Sequence, residues 1–193
     1  MIVLYSQRVE IVASYGERRD CADQMIPTFL RRCDLVPIPV PNVPELAVEI
    51  ASTIDPRGIF FGGGNDIGSA LERDETERRL LDWAIEHGRP VFGICRGMQF
   101  IAHHFGAQLS TVENHVRIRH AVNGIVNRKS VNSFHRFGLI DVPDCLTVIG
   151  RAEDETVEAI RHKQLKIAGV GWHPEREVPF DDADITMIKN FFR

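Results

Sequence analysis

Short apolar runs alternate with amphipathic stretches through the first half of the chain. Ile2-Val3-Leu4-Tyr5, Val36 to Val40, Gly58-Ile59-Phe60-Phe61 and Val91-Phe92-Gly93-Ile94 have the length and bulk of strands. Pro37 and Pro39 mark the second of these as an edge or an extended exit. Between the runs the apolar spacing becomes helical. Ala22, Met25, Ile26, Phe29 and Leu30 predict a helix from about Asp20 to Arg32, mildly broken by Pro27. Asn42 to Ser52 reads as a short helix with Pro44 early, where the missing N–H costs little. Ser69-Ala70-Leu71-Glu72 has capping-box spacing, so a helix is expected near Ala70, running through Leu80, Leu81, Ala84 and Ile85 to Gly88. Met98, Ile101, Ala102 and Phe105 then line one face of a further helix that stops at Gly106. Ser6 to Gly16 has no clean period and fits a loop over the sheet edge.

After Gly106 the texture changes. Segments 108–112, 116–119, 122–126 and 129–133 are short and mixed, with Asn123-Gly124 as a turn signal, and read as small strands walling a cleft. Residues 146–150, 157–160 and 165–171 are stronger strands, the last two joined as a hairpin. Asp184 to Phe192 closes the chain as an amphipathic helix. Strands alternating with helical crossovers predict an α/β fold. A mostly parallel central sheet carries helices on both faces and a small antiparallel extension, in a single domain over 1–193. Ligands bind such sheets beyond the carboxyl ends of the strands.

Length and charge narrow the function classes. At 193 residues the chain can bury roughly 70% of its extended surface. Its net charge of −4, with both signs dispersed, gives no footprint for nucleic acid or a membrane surface. No apolar run spans a bilayer and no secretory leader is visible. Cys21, Cys33, Cys95 and Cys145 are neither paired in spacing nor arranged as metal ligands, which fits a reduced, cytoplasmic protein. His103-His104, His115 and His120 suggest no ligand geometry, so no metal and no cofactor is expected. Phosphate-binding and dinucleotide fingerprints are both missing, which argues against ATP-driven or redox chemistry.

The chemistry concentrates at three strand ends. Cys95 stands where the 91–94 strand turns into a helix, with Gly93 and Gly97 two residues to either side. Such a turn exposes a nucleophile, and the helix N-terminus favours a thiolate. Gly62-Gly63-Gly64-Asn65-Asp66 follows another buried strand and holds backbone amides free for an anion. Gly171-Trp172-His173-Pro174-Glu175 follows a third. There His173 can act as base to Cys95 and Glu175 can fix the imidazole tautomer. Each feature has a bland reading, as a core cysteine, a flexible turn or a satisfied histidine. Together they converge on acyl transfer.

These residues resemble the class I glutamine amidotransferase superfamily. Gly93-Ile94-Cys95-Arg96-Gly97-Met98-Gln99 is similar to its nucleophile motif and Gly171 to Glu175 to its histidine-glutamate motif. Val131-Asn132-Ser133-Phe134-His135 resembles the intervening substrate-side segment. The resemblance implies a flavodoxin-like fold, oxyanion donors at Gly63, Gly64 and the amide of Arg96, and glutamyl contacts from Gln99 and the backbone of Val131, Asn132 and Ser133. Cys-Arg-Gly-Met-Gln and Val-Asn-Ser-x-His look like the gamma-glutamyl hydrolase branch. Arg136-Phe137-Gly138 departs from the pattern of its aminobutyrate hydrolases. The segment Tyr15 to Asp20, with Gly63-Gly64-Asn65-Asp66, looks more like the gamma-glutamyl-CDP-amidate hydrolases of surface-polysaccharide phosphoramidate synthesis.

The implied reaction is cysteine-dependent hydrolysis of a gamma-glutamyl amide-type bond, releasing L-glutamate from a small-molecule substrate that is nucleotide-linked in this reading. Arg18 and Arg19 are candidate contacts to an anionic part of that substrate, or plain surface charge. Arg117, Arg119, His120 and Arg136 are candidates for a nucleotide-facing wall. Alternatives are hydrolysis of gamma-glutamyl-gamma-aminobutyrate or a related conjugate, and a glutaminase subunit feeding ammonia to a separate synthase. A non-catalytic protein that kept only the sheet fits poorly with an intact Cys95, His173 and Glu175. A homodimer is left open.

Overall fold

A computed structural model describes the whole chain, Met1–Arg193. β1 (Ile2–Tyr5) is followed by β2 (Arg8–Val12), β3 (Glu17–Cys21), α1 (Met25–Arg32), β4 (Val36–Pro39), α2 (Pro44–Ile54) and β5 (Gly58–Phe61). Next come α3 (Leu71–Glu86), β6 (Val91–Ile94), α4 (Arg96–His104), β7 (Ser110–Thr111), β8 (Val116–Val122), β9 (Arg128–Phe134) and β10 (Phe137–Gly138). β11 (Leu146–Arg151), β12 (Val157–His162), β13 (Ile167–Val170), a 3-10 turn at Pro174–Arg176 and α5 (Asp182–Phe192) complete the chain.

Seven strands form the central sheet in the order β11-β12-β13-β6-β5-β1-β4. The five from β13 to β4 run parallel, and β12 is antiparallel to both β13 and β11. This is the α/β sheet with an antiparallel extension that the hydrophobic pattern predicts. Alternation along each strand sorts side chains into two cores. Leu4, Ile59, Phe61 and Val91 pack with Ala47 of α2, Leu80 of α3 and Ile101 of α4. Val3, Tyr5, Phe60, Phe92 and Ile94 pack on the other face with Phe29 of α1 and Ile188 and Phe192 of α5. Each fully buried side chain of this kind stabilises the fold by roughly 1.5–3 kcal/mol.

Three expectations need correction. The Ser6–Gly16 stretch is no loop: β2 and β3 form an antiparallel hairpin in which Arg8 pairs with Cys21 and Val12 with Glu17. The alternation in β2 is confined to Arg8-Val9-Glu10-Ile11, and β3 has polar side chains on both faces from Glu17 to Asp20, so the pair carries little of the pattern that usually betrays a strand. Because Cys21 belongs to this hairpin, α1 starts at Met25 rather than Asp20, and Pro27 falls in the first turn, where its missing N–H breaks no helical bond. The 69–72 capping box does not form. Ala70 occupies the cap position, and the Ser69 hydroxyl donates instead to the Asp66 carbonyl at 2.6 Å.

Candidate active site

The parallel register of β13 against β6 decides which residues meet. Val170 lies opposite Ile94, and the Cys95 N–H donates to the Val170 carbonyl at 2.8 Å. The residues that leave these two strands, Cys95 and Gly171-Trp172-His173, therefore emerge side by side at the carboxyl edge. β5 lies on the other side of β6 and delivers the Gly62-Gly63-Gly64 turn to the same edge.

Cys95 sits at φ 49° and ψ −113°, between the last residue of β6 and the first of α4. A positive φ at a non-glycine residue costs on the order of 1–3 kcal/mol, and here it turns the side chain out of the sheet. The turn closes because Gly93 and Gly97 touch: a Cβ on Gly93 would lie 2.4 Å from the Gly97 carbonyl carbon. Arg96, the first residue of α4, has no upstream helical carbonyl for its N–H.

His173 and Glu175 are both buried, and His173 Nδ1 donates to Glu175 Oε1 at 2.6 Å. That bond leaves Nε2 as the ring nitrogen available to Cys95. Burial opposes a charge on this imidazole, but the neighbouring Cys95 sulfur and the Glu175 carboxylate outweigh it, and the His173 pKa is pushed from 6.5 up to about 10. Cys95 and His173 open together onto a cavity of about 380 Å³, whose lining also includes Gly64, Gln99, His135, Arg136 and Arg176.

The glycine turn is shaped from behind. Arg73 is fully buried and donates to the Gly63 carbonyl at 3.0 Å and the Gly62 carbonyl at 2.8 Å. With both carbonyls drawn towards α3, the amides of Gly63 and Gly64 have no partner within the protein. Gly63 lies flat against the His173 ring, and a Cβ there would come within 2.6 Å of Cε1. Arg73 is held by Glu77 at 2.9 Å, and Glu77 also pairs with the buried Arg96 guanidinium, which reaches Asp74 as well. Burial alone would raise the Glu77 pKa, but Arg96 and Arg73 hold it below the usual carboxylate range. Sequence reasoning missed this network. Its signal is the Arg73–Glu77 pair, four residues apart on a helix whose apolar residues show which face is inside.

Other candidates are sorted by the geometry. The Gln99 amide nitrogen donates to the Phe137 carbonyl at 2.6 Å, so its side chain is fixed in the cavity wall. Val131 is part of the apolar core and Ser133 Oγ donates to the His115 carbonyl at 2.7 Å. The Asn132 side chain binds the backbone of His173. The side chains of 131–133 thus face the protein, and this part of the cavity wall is formed by Phe134 to Phe137. Arg18 and Arg19 are not in the cavity. They lie on the exposed hairpin, Arg18 paired with Glu72 and Arg19 with Glu17 at 2.7 Å, because both faces of β3 from Glu17 to Asp20 are exposed. Of the residues expected to form a nucleotide-facing wall, Arg136 lines the cavity, whereas Arg119 pairs with Glu177 at 3.0 Å. His120 lies with His115, His135 and Glu158, in a cluster that the spacing of the histidines in the sequence does not suggest.

The family model for class I glutamine amidotransferases matches residues 19–193. The chain belongs to this family. It is 34% identical over 142 residues to a gamma-glutamyl-CDP-amidate hydrolase of Campylobacter jejuni, covering 70% of each chain. It is also 32% identical over 161 residues to a glutamine-hydrolyzing GMP synthase subunit of Thermococcus kodakarensis, covering 79% of this chain and 81% of that one. Among solved structures, a Thermotoga maritima glutamine amidotransferase superposes with a TM-score of 0.70 at 19% identity over 98% of this chain and 82% of that one, a likeness of fold. Membership makes the protein a glutamine-amidotransferase-type hydrolase that cleaves gamma-glutamyl amides with a cysteine. No helix is long and apolar enough to cross a membrane.

Proposed function

We propose that Cys95, His173 and Glu175 form the catalytic centre, and that the substrate favoured by the relatives is glutamine, with the chain acting as a glutaminase subunit for a separate synthase. The observation that carries the catalytic assignment is the strained Cys95 opening onto one cavity with His173, whose ring is held from behind by Glu175. Cys95 Sγ attacks the gamma-carbonyl carbon as a thiolate. The carbonyl electron pair moves onto oxygen, which the amides of Gly63, Gly64 and Arg96 receive. As the tetrahedral adduct collapses, His173 Nε2 gives its proton to the departing nitrogen, the C–N bond breaks and ammonia leaves. A glutamyl thioester remains. Water then loses a proton to His173, adds to the thioester and expels the sulfur as thiolate, releasing L-glutamate. Glu175 keeps the ring oriented and stabilises its charged form. In this reading Gln99 Oε1 accepts from the substrate's alpha-ammonium group while its amide nitrogen is held on the Phe137 carbonyl.

The glutaminase reading is supported by the glutamine-hydrolyzing GMP synthase relatives, which align over about four fifths of both chains. A second reading, hydrolysis of gamma-glutamyl-CDP-amidate to cytidine diphosphoramidate, is favoured by the 34% identity to the Campylobacter enzyme and by Arg136 and Arg176 in the cavity, where a pyrophosphate needs cations. The deciding experiment compares kcat/KM for glutamine, gamma-glutamyl-CDP-amidate and gamma-glutamyl-gamma-aminobutyrate. The glutaminase reading expects glutamine to lead, with turnover that rises when a synthase partner is added. Preference for the CDP-amidate by two orders of magnitude or more, without a partner, replaces it with the second reading. Failure to release glutamate from any of the three contradicts both.

A further inference from the structure

Away from the Cys95 sulfur, β8, β9 and β12 bring together four residues that the sequence scatters over 115–158. The donor atoms of His115, His120, His135 and Glu158 all lie within 4.8 Å of one another, and Glu158 has no solvent exposure. Glu158 Oε1 is 3.2 Å from His135 Nε2, 3.4 Å from His115 Nδ1 and 3.6 Å from His120 Nε2. In a tetrahedral zinc site with ligand bonds of about 2.0–2.1 Å, adjacent donors are separated by roughly 3.3 Å. The carboxylate oxygen already stands at that separation from three imidazole nitrogens.

The outer nitrogens of the three rings point to the same chemistry. His135 Nδ1 lies 3.0 Å from the Phe137 carbonyl and His120 Nδ1 lies 3.1 Å from the Ala121 carbonyl, while His115 Nε2 lies 2.9 Å from Asp154 Oδ2. Each of these partners is an acceptor only, so the outer nitrogen carries the ring proton. A neutral imidazole then turns a lone pair inward. Three inward lone pairs around a buried carboxylate repel one another unless a cation lies among them. Backbone carbonyls and carboxylates behind histidine are the supports that fix ligating tautomers in metal sites. His120 Nε2 is also buried without a hydrogen-bond partner, an expensive state that an ion among these donors would relieve.

We propose that His115, His120, His135 and Glu158 bind one divalent transition-metal ion, with zinc as the best chemical fit to three imidazoles and a carboxylate. The ion ties the β8–β9 hairpin to β12 and is structural, because the protein supplies four ligands and closes the coordination sphere. Glu158 also accepts the Gly171 N–H through its backbone carbonyl at 2.7 Å, two residues before His173. The metal therefore anchors the wall that carries His135 beside the segment that carries His173.

The test uses the full chain purified without a histidine tag, stripped with chelator and titrated with Zn²⁺ or Co²⁺. The expected result is one equivalent bound, a Tm that climbs with free Zn²⁺, and the intense visible bands of tetrahedral Co²⁺. His115→Ala and Glu158→Gln should each abolish the Co²⁺ bands, whereas Cys95→Ala should keep them. The wild-type Co²⁺ spectrum needs no variant to fold, so the proposal stays exposed to failure. Absence of stoichiometric binding by the folded, stripped protein overturns it and leaves a protonated histidine cluster around Glu158. Binding that survives both His115→Ala and Glu158→Gln overturns it equally, because the ion then lies elsewhere.

Discussion

Asn132 holds the His173 backbone on both sides of its α-carbon: its Oδ1 accepts the His173 N–H at 2.9 Å and its Nδ2 donates to the His173 carbonyl at 2.8 Å. The imidazole is thus fixed from β9 as well as from Glu175, and the Asn132 side chain serves to position His173. Asn132→Ala removes both bonds and lets the ring drift. Small misplacements of reacting groups are costly, so kcat is expected to fall about 10–100-fold with KM changed much less. Steady-state kinetics on the folded variant checks this, and an unchanged kcat would show that Glu175 alone suffices.

Arg73 offers a second handle. It is the fork that pulls the Gly62 and Gly63 carbonyls away from the cavity, and lysine keeps its charge without its geometry. Arg73→Lys should fold and lose roughly 100-fold in kcat, the usual cost of a disturbed oxyanion donor. Arg73→Met should lose about 3–5 kcal/mol of stability, because it strands the buried Glu77 with one guanidinium fewer. Urea melts of the two variants separate these effects.

The pH dependence follows from His173. Folding raises its pKa from 6.5 to about 10, so the stability it contributes is complete below 6.5 and is lost as pH rises through about 10. The urea midpoint of the wild type should decline over that window, and His173→Gln should flatten the decline. Activity follows the same group, since the departing nitrogen needs its proton. The alkaline limb of kcat/KM should fall near pH 10, and Glu175→Gln, which removes a carboxylate that raises this pKa, should move the limb to lower pH.

The arginines divide by position. Arg18→Ala and Arg19→Ala are expected to leave KM within about twofold of wild type, because both side chains are occupied in exposed ion pairs outside the cavity. Arg136→Ala should raise KM for a pyrophosphate-bearing substrate by tenfold or more while sparing glutamine. Parallel Michaelis constants for the two substrates make the comparison.

How far the sequence could be read depended on whether a feature is local. The turn at Cys95 was legible because strand, glycine spacing and helix lie within a dozen residues. His173 and Glu175 were legible because a buried strand leads straight into them. The β2–β3 hairpin was not, since it stands clear of the sheet, β2 alternates over only four residues and β3 is polar on both faces. Arg73, Glu77 and Arg96 were hidden because charges on the buried side of a helix read as ordinary surface until their partners are seen. Nor could spacing show His115, His120, His135 and Glu158 as a group, which only the pairing of β8 with β9 and the position of β12 assemble.

Catalysis of this kind rests on a covalent glutamyl group carried by one sulfur. Acid-quenching the enzyme during steady-state turnover of its best gamma-glutamyl substrate, followed by intact-mass and peptide mass spectrometry, looks for that species directly. The predicted result is a mass increase of one glutamyl acyl group, localised to the peptide containing Cys95 and absent from Cys95→Ala. An adduct on another residue, or undiminished hydrolysis by Cys95→Ala, would contradict it.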